Sequence, residues 1–97
     1  MDPDLSDQIH ISDVVVSTAG HDKGSLFYVI ATDEGFLYLA NGKDRNLDKL
    51  KRKKRKHVQK VLRSETRVAQ KIASGDKVLN SELRRDLAFH AKEMQAN

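Results

Sequence analysis

Residues 26–42 read LFYVIATDEGFLYLANG, and this stretch decides the fold. Leu26–Ala31 and Phe36–Ala40 are short runs of aromatic and branched residues, a composition suited to a pleated surface. Between them Asp33-Glu34-Gly35 forms a hairpin loop, with Gly35 free to take positive φ. Asn41-Gly42 is a two-residue turn signal and predicts a further hairpin into a short strand over 43–47. Upstream, Ile9–Val16 reads as another strand. Three or four short strands with tight turns in about forty residues predict a small barrel or strongly bent sheet.

The strand at 26–31 is apolar on both faces: Phe27 and Val29 point one way, Leu26, Tyr28 and Ile30 the other. A small barrel buries only one of these faces inside itself, so the other needs a cover. The C-terminal third supplies candidates. Val61, Val68 and Ile72, with Ala69 and Ala73, predict a short amphipathic helix ending at Gly75. Asn80 or Ser81 can cap a second helix, in which Leu83, Leu87, Ala91 and Met94 share one stripe. The expected organisation is a loose acidic tail (1–8), a barrel containing the basic segment (9–62) and a helical extension (63–97) packed on the barrel or on a partner.

Charge is segregated along this 97-residue chain, whose formal net charge is +4. Residues 43–63 hold eleven Lys and Arg against two aspartates, a net +9, while the other 76 residues sum to −5. Such segregation creates a directional field that draws a polyanion to one side of the molecule. Eight of the twelve positions from 49 to 60 are basic: Lys49, Lys51, Arg52, Lys53, Lys54, Arg55, Lys56 and Lys60. Crowded like charges repel, so the unbound run is expected to be extended or mobile. Phosphate contacts relieve that repulsion and release counterions. By itself such a run also suits a solvated face or a targeting address. It contains no aromatic residue, which favours folded or helical RNA over a single strand held by base stacking.

A second feature is the loop Gly20-His21-Asp22-Lys23-Gly24. Its two glycines let the backbone turn sharply and approach a ligand, with Lys23 at the tip. An ordinary β-turn with a solvated lysine has the same spacing. The aromatics Phe27, Tyr28, Phe36, Tyr38 and Phe89 sit in apolar runs and are expected in the core, with Tyr28 or Tyr38 placed to edge onto a nucleotide. His10, His21, His57 and His90 lack metal-ligand spacing; His21 and His57 flank the basic features and can donate hydrogen bonds there. Arg67, Arg84 and Arg85 read as a solvated helix face.

The chain has no Cys, no P-loop glycine pattern, no HExxH and no paired carboxylates within apolar sequence. A chain this short also leaves little room for a buried, water-excluding active site. The expectation is a non-enzymatic protein with no catalytic residue, metal, cofactor or small-molecule substrate. No apolar stretch approaches the roughly 18–20 residues of a membrane helix. The N-terminal MDPDLSDQIH is acidic, unlike a secretory signal, and a cytoplasmic location is expected.

Together these stretches resemble the KOW family. Residues 14–31, VVVSTAGHDKGSLFYVIA, resemble its strand, Lys-Gly-ended loop and second strand. Residues 37–59, LYLANGKDRNLDKLKRKKRKHVQ, are similar to the subtype in archaeal and eukaryotic large-subunit ribosomal KOW proteins and their small bacterial relatives. Residues 72–88, IASGDKVLNSELRRDLA, resemble the helical extension of the bacterial relatives. The resemblance implies a mainly β fold, an SH3-like small β-barrel plus a two-helix extension, that binds ribosomal or other structured RNA. Carried over by position, it singles out Gly20, Asp22, Lys23, Gly24, Gly42, Arg45, Lys53, Lys54, Lys56 and His57. Leu50 stands where the family often has proline, and Asn41 where it often has aspartate.

Lys23 and Arg45 are then expected to anchor ribosomal RNA of the large subunit, with the 49–60 run along its phosphates. The helices would offer a contact to a ribosomal protein. Three rivals share these features: a transcription-elongation KOW module on RNA polymerase, an SH3-like module binding an acidic protein, and a DNA binder, since phosphates alone do not separate the nucleic acids.

Overall fold

The computed structural model describes residues 8–95. The expected tail at 1–8 therefore lies, apart from Gln8, outside the described residues. Five strands, β1 (Asp13–Ser17), β2 (Leu26–Thr32), β3 (Phe36–Ala40), β4 (Lys51–Lys54) and β5 (Val58–Arg63), form one antiparallel sheet in the order β4-β3-β2-β1-β5. Two helices follow, α1 (Arg67–Ser74) and α2 (Asn80–Met94).

β4 and β5 are opposite edges of the sheet, yet only a 3₁₀ turn, Arg55–His57, joins them. The chain from Lys54 to Val58 spans at most about 14 Å. Five flat strands would hold their edges roughly 19 Å apart. The sheet is therefore bent back on itself, although it does not close, because β4 and β5 do not pair. Two register shifts help to bend it: Ile30 is the extra residue between Val29 and Ala31, and Val61 the extra residue opposite Val14 and Val15.

Both faces of β2 are buried, as its two-sided apolar pattern requires. Inside the bend, Ile9, Val15, Phe27, Val29, Leu37, Leu39 and Val58 form one core. On the outer face, Val14, Tyr28 and Ala40 pack with Ala69 and Ile72 of α1 and Leu83 and Leu87 of α2. The helices thus cover the sheet of their own chain. Each fully buried Val, Leu or Phe contributes about 1.5–3 kcal/mol.

Local chemistry sets the helix ends. Thr66 Oγ1 accepts the Ala69 N–H at the start of α1. Gly75, in the left-handed region at φ +79°, ends it, and the Asp76 N–H donates to the Lys71 carbonyl. At α2 the Glu82 carboxylate accepts the Leu79 N–H. Asn80 does not cap; its side-chain oxygen accepts the Leu47 N–H, tying the loop after β3 to the helix. Met94, expected on the buried stripe, is exposed, and His90 takes the next inward position after Leu87.

Other expectations are corrected. The strand over 43–47 is instead a loop, closed by the Asn41 side chain, whose oxygen accepts the Lys43 and Arg45 N–H groups. The basic run, expected to be extended or mobile, is extended and paired over 51–54: β4 runs beside β3, with Leu37 opposite Lys53 and Leu39 opposite Lys51. There, pairing with a neighbouring strand outweighs the low strand propensity of lysine. Val61, a strand-favouring residue, belongs to β5 rather than α1. Phe89, expected in the core, is exposed.

Candidate nucleic-acid interface

Gly20 (φ +85°) and Gly24 (φ +91°) sit in the left-handed region and bound the loop between β1 and β2, as their spacing predicts. Inside this loop Asp22 is turned inward. Its Oδ1 accepts from the Ser17 hydroxyl at 2.7 Å and from Lys53 Nζ. Lys53 also donates to the Ala19 carbonyl at 2.6 Å and is itself buried. Burial pushes the Asp22 carboxyl up, but hydrogen bonds from Lys53 and Ser17 and the charges of Lys53 and Lys51 outweigh it, so the pKa is lowered. Lys53, which reaches from edge strand β4 to the end of β1, joins parts of the bent sheet that no strand pairing joins. Its ammonium is committed to the fold, and so is Asp22 Oδ1, while Asp22 Oδ2 is buried with no hydrogen-bond partner among the described residues.

The strand period splits the remaining cations. Arg52 and Lys54 are exposed on the outer side of β4, while half-buried Lys51 shares the inner row with Lys53. Lys49 and Lys56 are exposed at either end of the strand. None of these five makes a salt bridge among the described residues, although the charge of Lys51 acts on Asp22. Lys60 is engaged, with Nζ 3.1 Å from Asp13 and 3.1 Å from the Gln8 carbonyl. Arg55 Nε donates to the Asp33 carbonyl at 3.3 Å. One continuous cationic ridge is therefore replaced by cations arrayed around an open sheet edge.

The glycine-bounded loop meets this edge. The Thr18 N–H donates to the carbonyl of half-buried His57, and Lys23 and His21 are exposed at the loop tip. Arg45 comes to the same end of the sheet, because Ala40, where β3 stops, pairs with Tyr28 near the start of β2. Its carbonyl accepts the Asn41 and Gly42 N–H groups. Gly42, at φ +75°, lies so close to α2 that an added Cβ would be 2.1 Å from the Asn80 carbonyl oxygen. Arg84, expected in a solvated face, donates to the Gly42 carbonyl at 2.6 Å.

Tyr28, one of two tyrosines expected near a nucleotide, is instead fully buried. Its hydroxyl contacts Ser64 at 2.7 Å, His90 Nε2 at 3.2 Å and the Asp86 carboxylate. Burial and the Asp86 contact push its pKa up to about 12. Ser64, His90 and Asp86 are the residue types of a nucleophilic triad. Here both Ser64 and Asp86 approach the same ring nitrogen, Nε2, so the imidazole cannot relay a proton from one to the other. The cluster pins α2 to the sheet.

The sequence places Phe36 and Tyr38 in the core, with Tyr38 also able to edge onto a nucleotide. Both are half-buried on the outer face of β3, outside both cores, and Arg52 lies with its guanidinium carbon 3.6 Å from the Phe36 ring centroid. Their alternation was visible; their basic neighbours were not, because β4 had been placed elsewhere. Among the described residues no helix is long and apolar enough to cross a membrane. No family model matches the chain, and no curated protein matches it significantly.

Proposed function

We propose that this chain is a KOW-type RNA-binding protein that grips structured ribosomal RNA in the cytoplasm and acts in translation or ribosome assembly. One observation carries the reading: Lys23, Lys49, Lys51, Arg52, Lys54 and Lys56 surround one sheet edge and its neighbouring glycine loop, and none of them makes a salt bridge among the described residues. Cations left unpaired in a chain with fourteen acidic residues suit an external polyanion. The bent five-stranded sheet, with a 3₁₀ turn between its last strands, supports the SH3-like reading of the barrel.

Binding to a folded ribosomal RNA fragment tests this. Changing Lys51, Lys54 and Lys56 to alanine should weaken binding at least tenfold, and undiminished affinity overturns the mechanism. Sedimentation of the native protein with ribosomal rather than polymerase fractions, lost after nuclease treatment, separates this function from the transcription and protein-binding alternatives.

A further inference from the structure

We propose that the outer face of β3 and β4 is a stacking platform for an unpaired RNA base, an inference that rests on the RNA-binding reading and narrows its ligand to folded RNA with a flanking single strand. α1 and α2 cover this face as far as Ala40 and stop there. The next two residues on the same side of β3, Tyr38 and Phe36, belong to neither core and are half-buried. The Tyr38 hydroxyl makes no hydrogen bond among the described residues. Two neighbouring aromatics are thus left partly open on this sheet face, outside the core that α1 and α2 form on it.

The register sets basic side chains beside them: Tyr38 is opposite Arg52 and Phe36 opposite Lys54. The Arg52 guanidinium carbon sits 3.6 Å from the Phe36 ring centroid, and Arg52 has no carboxylate partner among the described residues. Bases stack on aromatic rings and on guanidinium planes alike, and each offers its π-face irrespective of sequence. Next to the platform, Glu34, Gly35, Phe36, Lys54, Arg55 and Lys56 line a shallow depression of about 400 Å³, three cations against one carboxylate. Lys54 and Lys56 stand where the flanking phosphates of a stacked base would run. The charge of this surface favours a nucleic-acid strand over an apolar or basic peptide.

The test uses two labelled RNA probes, a blunt hairpin and the same hairpin with a short unpaired overhang, read by fluorescence anisotropy. The intact protein should bind the overhang probe about tenfold more tightly, the order of gain one stacked base supplies. Phe36→Leu combined with Tyr38→Leu should erase that preference and leave blunt-hairpin binding within about twofold. Phe36→Trp should retain the preference and show tryptophan quenching by the overhang in a chain that has no other Trp. Equal affinity of the intact protein for both probes, or a preference surviving the double substitution, overturns the platform while leaving RNA binding standing. Failure to bind either probe overturns both. If the double variant misfolds by circular dichroism, the Phe36→Trp protein decides: unquenched emission on the overhang probe overturns the proposal.

Discussion

The Lys53 ammonium lies 2.5 Å from the Asp22 carboxylate, beneath the loop bounded by Gly20 and Gly24. Lys53 is buried while Lys54, its neighbour in sequence, is exposed. Two adjacent lysines in one basic run thus have separate physical roles, one joining parts of the fold and the other facing solvent.

Lys53→Ala is expected to lower stability by about 2 kcal/mol, because it leaves Asp22 largely buried without its cation. Lys54→Ala should stay within about 0.5 kcal/mol of the parent, as exposed substitutions do, and should weaken RNA binding. Urea denaturation and anisotropy titration check the pair. The folded-state pKa of Asp22 is lowered, so its contribution is complete above the ordinary aspartate value of 3.8 and is lost as pH falls through the folded value. The stability gap between the parent and Lys53→Ala should therefore narrow below that pH.

Gly42→Ala should destabilise by more than about 2 kcal/mol, since it combines left-handed strain with a clash against backbone. Gly24→Ala is the control. It carries the same kind of strain at φ +91° but meets no atom within 4 Å, so it should cost about 1–2 kcal/mol. Denaturation midpoints of the two variants separate the clash from the strain.

Alkaline unfolding should begin through Tyr28. Its folded pKa is raised from 10 to about 12, so the neutral phenol favours the fold, and its contribution is fully present below pH 10. That contribution is lost as pH rises from about 10 through about 12, on the order of 2–3 kcal/mol. Tyr28→Phe should be less stable at neutral pH by about 1–3 kcal/mol, because Asp86, Ser64 and His90 lose a buried partner. It should also lose most of the alkaline dependence. Phenolate absorbance followed alongside circular dichroism measures both.

RNA affinity should fall with log salt at a slope of roughly −4 to −5 if six cations meet phosphates. Removing Arg52 or Lys56 singly should reduce the slope by about 0.7–0.9. Lys60→Ala should change it little, because that ammonium already faces Asp13. A salt titration for each variant reads the count directly.

Much of the fold was legible because its signals are local. β3 lies where the alternating run Phe36–Ala40 placed it, and Gly75 ends α1 in the left-handed conformation its position implied. The two-sided apolar pattern of β2 correctly required a second covering layer. The strand expected at 43–47 failed because Asn41 closes a loop on itself instead of starting a hairpin. β4 was missed because lysines carry little strand propensity and its pairing is set by β3. β5, whose Val58 and Val61 suit a strand, was missed because the spacing of Val61 from Val68 also fits the helix that follows.

The amino-acid order alone determined the separation of charge and the apolar periodicities, since each depends on residues within a few positions of one another; Gly35, free to take positive φ, is not among the left-handed glycines. Only the tertiary structure decided which cations are free and which are consumed. Lys53 is neutralised by a carboxylate 31 positions away, and Arg52 meets an aromatic ring on the neighbouring strand. Side-chain alternation along β4 sends adjacent lysines to opposite faces, and strand pairing across the bent sheet selects their partners.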